Sequence, residues 1–428
     1  MPDIKQSSLR YWLWLSLAIY PGSASGQVLL SRFENDPYRI YQADAEEYKE
    51  LELTDAILRN LSDKSMDRAD SILAYCKQHS IFLLTPASEG YPERLLRISR
   101  MPLVLYCKGR LPDIDREAAV AMVGTRRMTV YGKRMTYEIA YDLAKAGAIV
   151  VSGLALGIDA IAHRACLDAG GFTIAVLGCG IDVSYPKENF ELMEEIEQKG
   201  LVISEYPPGT RPYGSNFPTR NRIISGLCLG TVVMEADSKS GALITAECAR
   251  KQSRDLFALP GMVGEQNSEG TNALIRAGAI PVTDAKDILC EYELLYPTKL
   301  HTSDIPAYRP NIQLDTPKSF GKKANEEKKT KIRQNKAETD IPVPEPIPSA
   351  EEPVKEEETG TNEVTIPAGL VDLHADIYRT IATLGQPTQD EIIAKSGLSA
   401  SNAMVALTVL EIKGHILSLP GGRYCVKK

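Results

Sequence analysis

Between Ala118 and Gly261, short apolar runs alternate with longer amphipathic stretches. The runs are AVAMVG (119–124), AIVVSG (148–153), TIAVLG (173–178), LVISEY (201–206), TVVMEA (231–236) and DLFALPG (255–261). Each is apolar at successive positions rather than at every second one, the pattern of strands covered on both faces. The stretches between them carry helical spacing: over 131–146, Met135, Ile139 and Leu143 recur at i, i+4, i+8. Strands of this kind alternating with helices predict an α/β fold with an extended Rossmann-like, parallel, doubly wound sheet. Such sheets bind ligands outside the carboxyl ends of their strands.

The flanks read differently. Residues 1–78 predict a helical domain with helices at 8–20, 26–34, 44–60 and 64–78. A helix-hairpin-helix would use the turn amides at Pro21-Gly22 to grip a phosphate, but PGSAS has one of the glycines needed, which favours a plain helical scaffold. Two strand-like runs, IFLLT and PLVLYC, open the α/β domain, placed at 79–298. Residues 299–366 pass from the charge-mixed GKKANEEKKTKIRQNK to the Pro- and Glu-rich IPVPEPIPSAEEPVKEEE. Neither buries enough apolar surface to offset ordering entropy, so a disordered linker is expected. Residues 367–428 predict a winged helix. Leu370, Leu373, Ile377, Ile381 and Leu384 share one helical face; Thr388 and Ser399 sit where caps belong, and a hairpin turns at Gly421-Gly422.

Composition narrows the class. Apolar and charged fractions of 43% and 25% fit a globular protein, and a net charge of -7 requires any nucleic-acid site to be local. The eight cysteines contain no CxxC and mostly lie in apolar runs, which predicts buried thiols in a reducing cytoplasm and no metal site. YWLWLSLAIY (11–20), preceded by Lys5 and Arg10 and followed by PGSASG, mimics an export signal. It is too short to span a bilayer, and its tryptophans suit a packed first helix better. No membrane association is expected.

Candidate chemistry gathers at strand ends. Residues 203–224, ISEYPPGTRPYGSNFPTRNRII, carry Arg211, Arg220 and Arg222, and no Asp or Glu occurs from Tyr206 to Met234. Arginines without nearby acids form an anion site, and a loop-borne aromatic, Phe217, offers a face for a base. A proline-rich surface loop with incidental charge is the alternative. The first strand ends in Gly124-Thr125-Arg126-Arg127, again without acids between Ala118 and Tyr137. The Thr125 hydroxyl, Arg126 and free amides of the following helix would bind phosphate. A tight turn with solvated arginines is the other reading. Seven residues separate Gly124 from Gly132-Lys133, where a P-loop needs four, so nucleotide hydrolysis is not indicated. Lys187, after Tyr185-Pro186, is either a crevice phosphate contact or a surface charge. Asp159 and His163 at i, i+4 suggest helix orientation rather than acid–base work, since no nucleophile lies nearby in sequence.

GTRR (124–127), SGLALGIDAIAH (152–163), FPTRNRIISGL (217–227), EADSKSGALITAECA (235–249) and PG…EGTNALI (260–275) together resemble the DNA-processing protein A (DprA/Smf) family, over about residues 80–290. The resemblance implies a Rossmann-like domain that dimerises, binds single-stranded DNA and helps load RecA recombinase during natural transformation, with no catalytic residue and no cofactor. The winged helix matches that family's terminal module; the N-terminus matches its sterile-alpha-motif-like domain more loosely. By position, Thr125 and Arg126 match the phosphate pocket, Lys187 a basic residue, Phe217 a base-contacting aromatic, and Arg220, Asn221 and Arg222 an RNR signature. Where some relatives carry a lysine, this chain has Gly214, for which Arg211 is the candidate replacement. The competing class is a nucleotide phosphoribohydrolase of the lysine-decarboxylase-like group. Its PGGxGTxxE motif is broken here, with Leu274 where the catalytic carboxylate belongs. Duplex reading by the winged helix is disfavoured because Lys413 is the only base on its candidate recognition helix, 399–413.

Overall fold

The structure, a computed structural model, describes residues 4–305, 372–396, 403, 406–407, 409–411, 415–419 and 423–426. It divides into a unit ending at Lys322 and a second beginning at Lys323. The first is built on a nine-stranded sheet. Its strands are β1 (Phe82–Leu84), β2 (Leu105–Gly109), β3 (Ala119–Val123), β4 (Ile149–Ser152), β5 (Thr173–Leu177), β6 (Leu201–Ser204), β7 (Gly230–Val233), β8 (Asp255–Ala258) and β9 (Ile280–Pro281). Their order is β1-β2-β6-β5-β4-β3-β7-β8-β9. From β6 to β9 all neighbours are parallel, while β2 runs antiparallel to β6 and β1 antiparallel to β2. The chain grows outward from β3 through β4, β5 and β6, then returns to β7 on the other side. The order therefore reverses between β3 and β7, where open α/β sheets form their crevice.

Period-two burial divides each strand between two cores. Val120, Met122 and Val150 face helices Val130–Lys145 and Ile158–Asp168. Ala119, Ala121, Val123 and Val151 face helices Asn216–Leu227 and Gly241–Lys251. Double coverage explains the unbroken apolar runs. β9 was not foreseen, because two residues are too short to show a period.

Residues 4–78 share a core with the sheet: Trp12, Leu13, Trp14 and Leu15 of helix Ile4–Ala18 are buried in one cluster with Tyr106, Leu177 and Val202. The Trp14 indole donates to the Asp63 carbonyl at 2.8 Å, so the signal-like run is a packed helix. Among the described residues no helix is long and apolar enough to cross a membrane. The expected helix 44–60 is two helices, Ala45–Lys49 and Asp55–Ser62, because Thr54 caps the second by accepting from Ile57 N–H. Helix Pro37–Gln42, capped by Asp36, was missed. The Pro21-Gly22 turn packs on Thr219 and gives the Gly22 amide to Glu205, an inward role rather than a phosphate grip.

Packing also extends past the expected linker boundary at 298/299, since Leu300 and Ile305 are buried with the sheet. Residues 306–371 lie outside the described part. Five of the cysteines are buried, Cys248 and Cys425 are half-buried, and Cys290 is exposed.

The second unit shows helices Asp372–Leu384 and Gln389–Ser396, further helical residues between 403 and 411, and an antiparallel pair, β10 (Ile416–Leu419) and β11 (Arg423–Val426). Ile377, Ile381, Ile392, Ala403, Leu407, Leu410 and Ile416 form its core. Thr388 and Glu391 exchange hydrogen bonds as a capping box. Ser399, Lys413 and Gly421-Gly422 lie outside the described residues.

Candidate nucleic-acid interface

An open crevice of about 730 Å³ lies across the carboxyl ends of the strands at the β3/β7 reversal. Thr125, Arg126, Phe217, Arg220 and Asn221 all line it, together with Gly214 on one lip and Asp237 and Ser240 on the wall beyond β7.

Phe217 is helical, not loop-borne: helix Asn216–Leu227 begins one residue before it. Pro218 falls in the first turn, where a missing N–H costs nothing. Phe217, Arg220, Asn221 and Ile224 then stand at i, i+3, i+4 and i+7, and this one helical face forms the crevice wall. The helix start is fixed from below. Asn216 Nδ2 donates to the Gly178 carbonyl at 3.0 Å, and Tyr206 Oη donates to the Asn216 carbonyl at 3.2 Å. Gly178 admits the ring, since a Cβ there would stand 2.8 Å from Phe217 Cδ1. The Arg126 guanidinium lies 5.4 Å from the Phe217 ring centre and that of Arg220 5.9 Å. Tyr185 adds a second ring at 5.4 Å, tilted by 36°. Tyr185, Phe217, Arg126 and Leu156 also enclose a side hollow of about 40 Å³. The sequence analysis assigns Tyr185 no role; its signal is an aromatic in the loop that follows β5.

The arginines divide into two kinds. Arg126 is exposed, and no acid pairs with it among the described residues. Arg220 is buried: Nη1 donates to the carbonyls of Gly153, at 2.9 Å, and Val176, and Nε to Asn221 Oδ1 at 3.2 Å. It ties the β4 and β5 loops together while its edge reaches the crevice. Asp159 stands across Gly153 and accepts the Gly153 and Ala155 amides at 3.1 and 3.4 Å. Burial pushes the Asp159 carboxyl up and the Arg220 guanidinium down, and each charge opposes the other's shift.

Arg222 is a correction. It is buried, pairs with Glu205 at 2.6 Å and does not line the crevice. Two residues along a helix rotate the side chain about 200°, so Arg220 and Arg222 point opposite ways. Lys187 and Arg211 are exposed but stand outside the crevice lining; Pro212 beside Arg211 belongs to it, and Pro186 beside Lys187 lines the side hollow.

Several amides between β3 and the following helix are already engaged within the protein. Thr125 N–H donates to the Glu235 carbonyl, Arg127 N–H to Thr125 Oγ1, and Thr129 N–H to Glu235 Oε2, at 2.8, 3.1 and 2.8 Å. The Thr125 hydroxyl keeps its hydrogen for a ligand.

His163 faces away from the crevice chemistry. Its Nδ1 lies 2.7 Å from Thr173 Oγ1, whose hydrogen goes to the Val150 carbonyl. Nδ1 therefore carries the proton and Nε2 is left as a buried acceptor. Burial, with Arg220 adding to it, pushes the ring down to about 3. Among the described residues no cluster of His, Cys, Asp or Glu could hold a metal.

The family model described as DNA recombination-mediator protein A matches residues 82–293, and the DprA winged helix domain matches residues 366–422. Protein Smf of Synechocystis is 36% identical over 348 residues, 80% of this chain and 79% of that protein. DNA processing protein DprA of Streptococcus pneumoniae is 45% identical over 203 residues, 47% of this chain and 71% of that one. The X-ray structure of the Streptococcus pneumoniae protein aligns with a TM-score of 0.58 at 34% identity, over 66% of this chain and 96% of that one. Family model, similarity over four fifths of both chains and fold agree: the chain belongs to the DprA/Smf family of DNA-processing proteins.

Proposed function

We propose that the crevice binds single-stranded DNA, and that the protein acts as a cytoplasmic recombination mediator that protects incoming strands and loads RecA. One observation carries the reading: Arg126, without an acidic partner among the described residues, lies over an aromatic ring at the rim of a buried sheet. Phosphates meet Arg126 and the Thr125 hydroxyl, and a base stacks on Phe217 or Tyr185. Lys187 and Arg211 extend the positive rim to neighbouring phosphates. Arg220 and Asn221 shape the floor, and Arg222 drops out of the contact set.

RecA loading and pairing of two copies through the Rossmann-like domain rest on family membership. The second unit serves protein contacts or adds weakly to DNA binding. The reading assigns no reaction: Asp159 holds loop amides, His163 is bonded to Thr173, and Leu274 stands where the phosphoribohydrolase reading needs a carboxylate. Anisotropy with a thymidine oligomer and a duplex of equal length tests the proposal. Tighter binding of the single strand, weakened by Arg126→Ala, is expected; equal or better duplex binding would contradict it.

A further inference from the structure

The position where Rossmann-like sheets hold a nucleotide pyrophosphate is the turn after the strand beside the reversal and the helix N-terminus that follows it. Here those are Gly124 to Thr129 and helix Val130–Lys145, sixteen residues long with no acid in its first turn. Its Thr129 end, at the helix start, is already filled. Glu235, just past β7 and 3% exposed, places its carboxylate there. Oε2 accepts the Thr129 amide at 2.8 Å, and Oε1 accepts the Thr129 hydroxyl. A Cβ on Gly132 would fall 2.2 Å from the Glu235 carboxylate, so the glycine lets it lie flat against the first turn. Over Gly124, Ile158 Cγ1 and the Glu235 carbonyl stand 2.5 and 3.0 Å from where a Cβ would be. The turn thus has a built-in anion in place of a bound one.

We propose that Glu235 is a specificity-determining residue that bars nucleoside diphosphates, dinucleotides and free pyrophosphate from the switch-point phosphate position. Two effects act together. The carboxylate takes the Thr129 amide and hydroxyl, and its charge repels a second anion at contact distance. The neighbouring crevice, with Arg126 facing solvent, stays open to an anion that approaches from outside. The inference stands on the Glu235 geometry and goes beyond the DNA reading; it holds whatever the crevice binds.

Calorimetry on the full chain with inorganic pyrophosphate and with ADP tests it. Glu235→Ala is expected to bind pyrophosphate at least about tenfold more tightly than wild type. Should that variant fail to fold, Glu235→Gln carries the test, since it keeps an acceptor for Thr129 N–H and loses the charge. It is expected to gain about threefold. Pyrophosphate bound against Thr129 in a crystal of the wild type would overturn the proposal. So would folded variants with unchanged affinity. Failure of thymidine-oligomer binding would count against the DNA reading and leave this result untouched.

Discussion

The Arg126 guanidinium sits over the Phe217 ring, 5.4 Å from its centre, and joins the end of β3 to the helix that follows β6. A stacking face and a phosphate donor are thereby set side by side. If both meet the same strand, their contributions are coupled. Phe217→Ala should cost about 1–3 kcal/mol in single-strand binding. Arg126→Ala should lower the salt slope by about 0.7. In a double-mutant cycle the two should interact by about 0.5–1 kcal/mol. Additive losses would place the two residues on separate parts of the ligand.

Gly214 lies on the crevice lip with open space where a Cβ would project. Gly214→Lys should therefore be accepted without strain and add one phosphate contact. The salt slope should steepen by about 0.7, and affinity at low salt should rise about three- to tenfold. An unchanged slope would show that the strand does not pass this lip.

The Arg222–Glu205 pair is buried, and removing one partner strands a charge. Arg222→Ala should lose about 3–5 kcal/mol of unfolding free energy. The double variant Arg222→Met with Glu205→Leu should recover most of it and bind thymidine oligomer within about twofold of wild type. Collapse of binding in that stable double variant would return Arg222 to the contact set.

His163 makes stability depend on pH. Folding lowers its pKa from 6.5 to about 3, through burial first. As pH falls, the unfolded chain takes up this proton near 6.5, while the folded protein resists until about 3. Stability is therefore lost as pH falls through that window. The share between pH 7 and pH 5 is about 2 kcal/mol. His163→Asn retains a donor for Thr173 and should lack this share in urea denaturation. Parallel curves for variant and wild type would refute the assignment.

The sheet was legible because its strands are buried on both faces, which leaves unbroken apolar runs no helix period could explain. Arg126 and Phe217 were legible for a similar local reason: each follows a strand end in an acid-free window. What such a window cannot show is its spatial neighbourhood. Glu205 lies one residue before the stretch that begins at Tyr206, and it neutralises Arg222 from beneath. Prolines 207, 208, 212 and 218 suggested a loop, yet Pro218 fits the first helical turn, and this rotation separates Arg220 from Arg222. Glu235 reaches Thr129 only because β7 lies beside β3, a pairing that no short-range spacing reports. Tyr185 meets Phe217 for the same non-local reason.

The most direct test is a crystal structure with a bound thymidine oligomer. The account predicts a phosphate against Arg126 and the Thr125 hydroxyl, with a base stacked on Phe217 or Tyr185. A strand bound elsewhere, with the crevice between Arg126 and Phe217 empty, would contradict it.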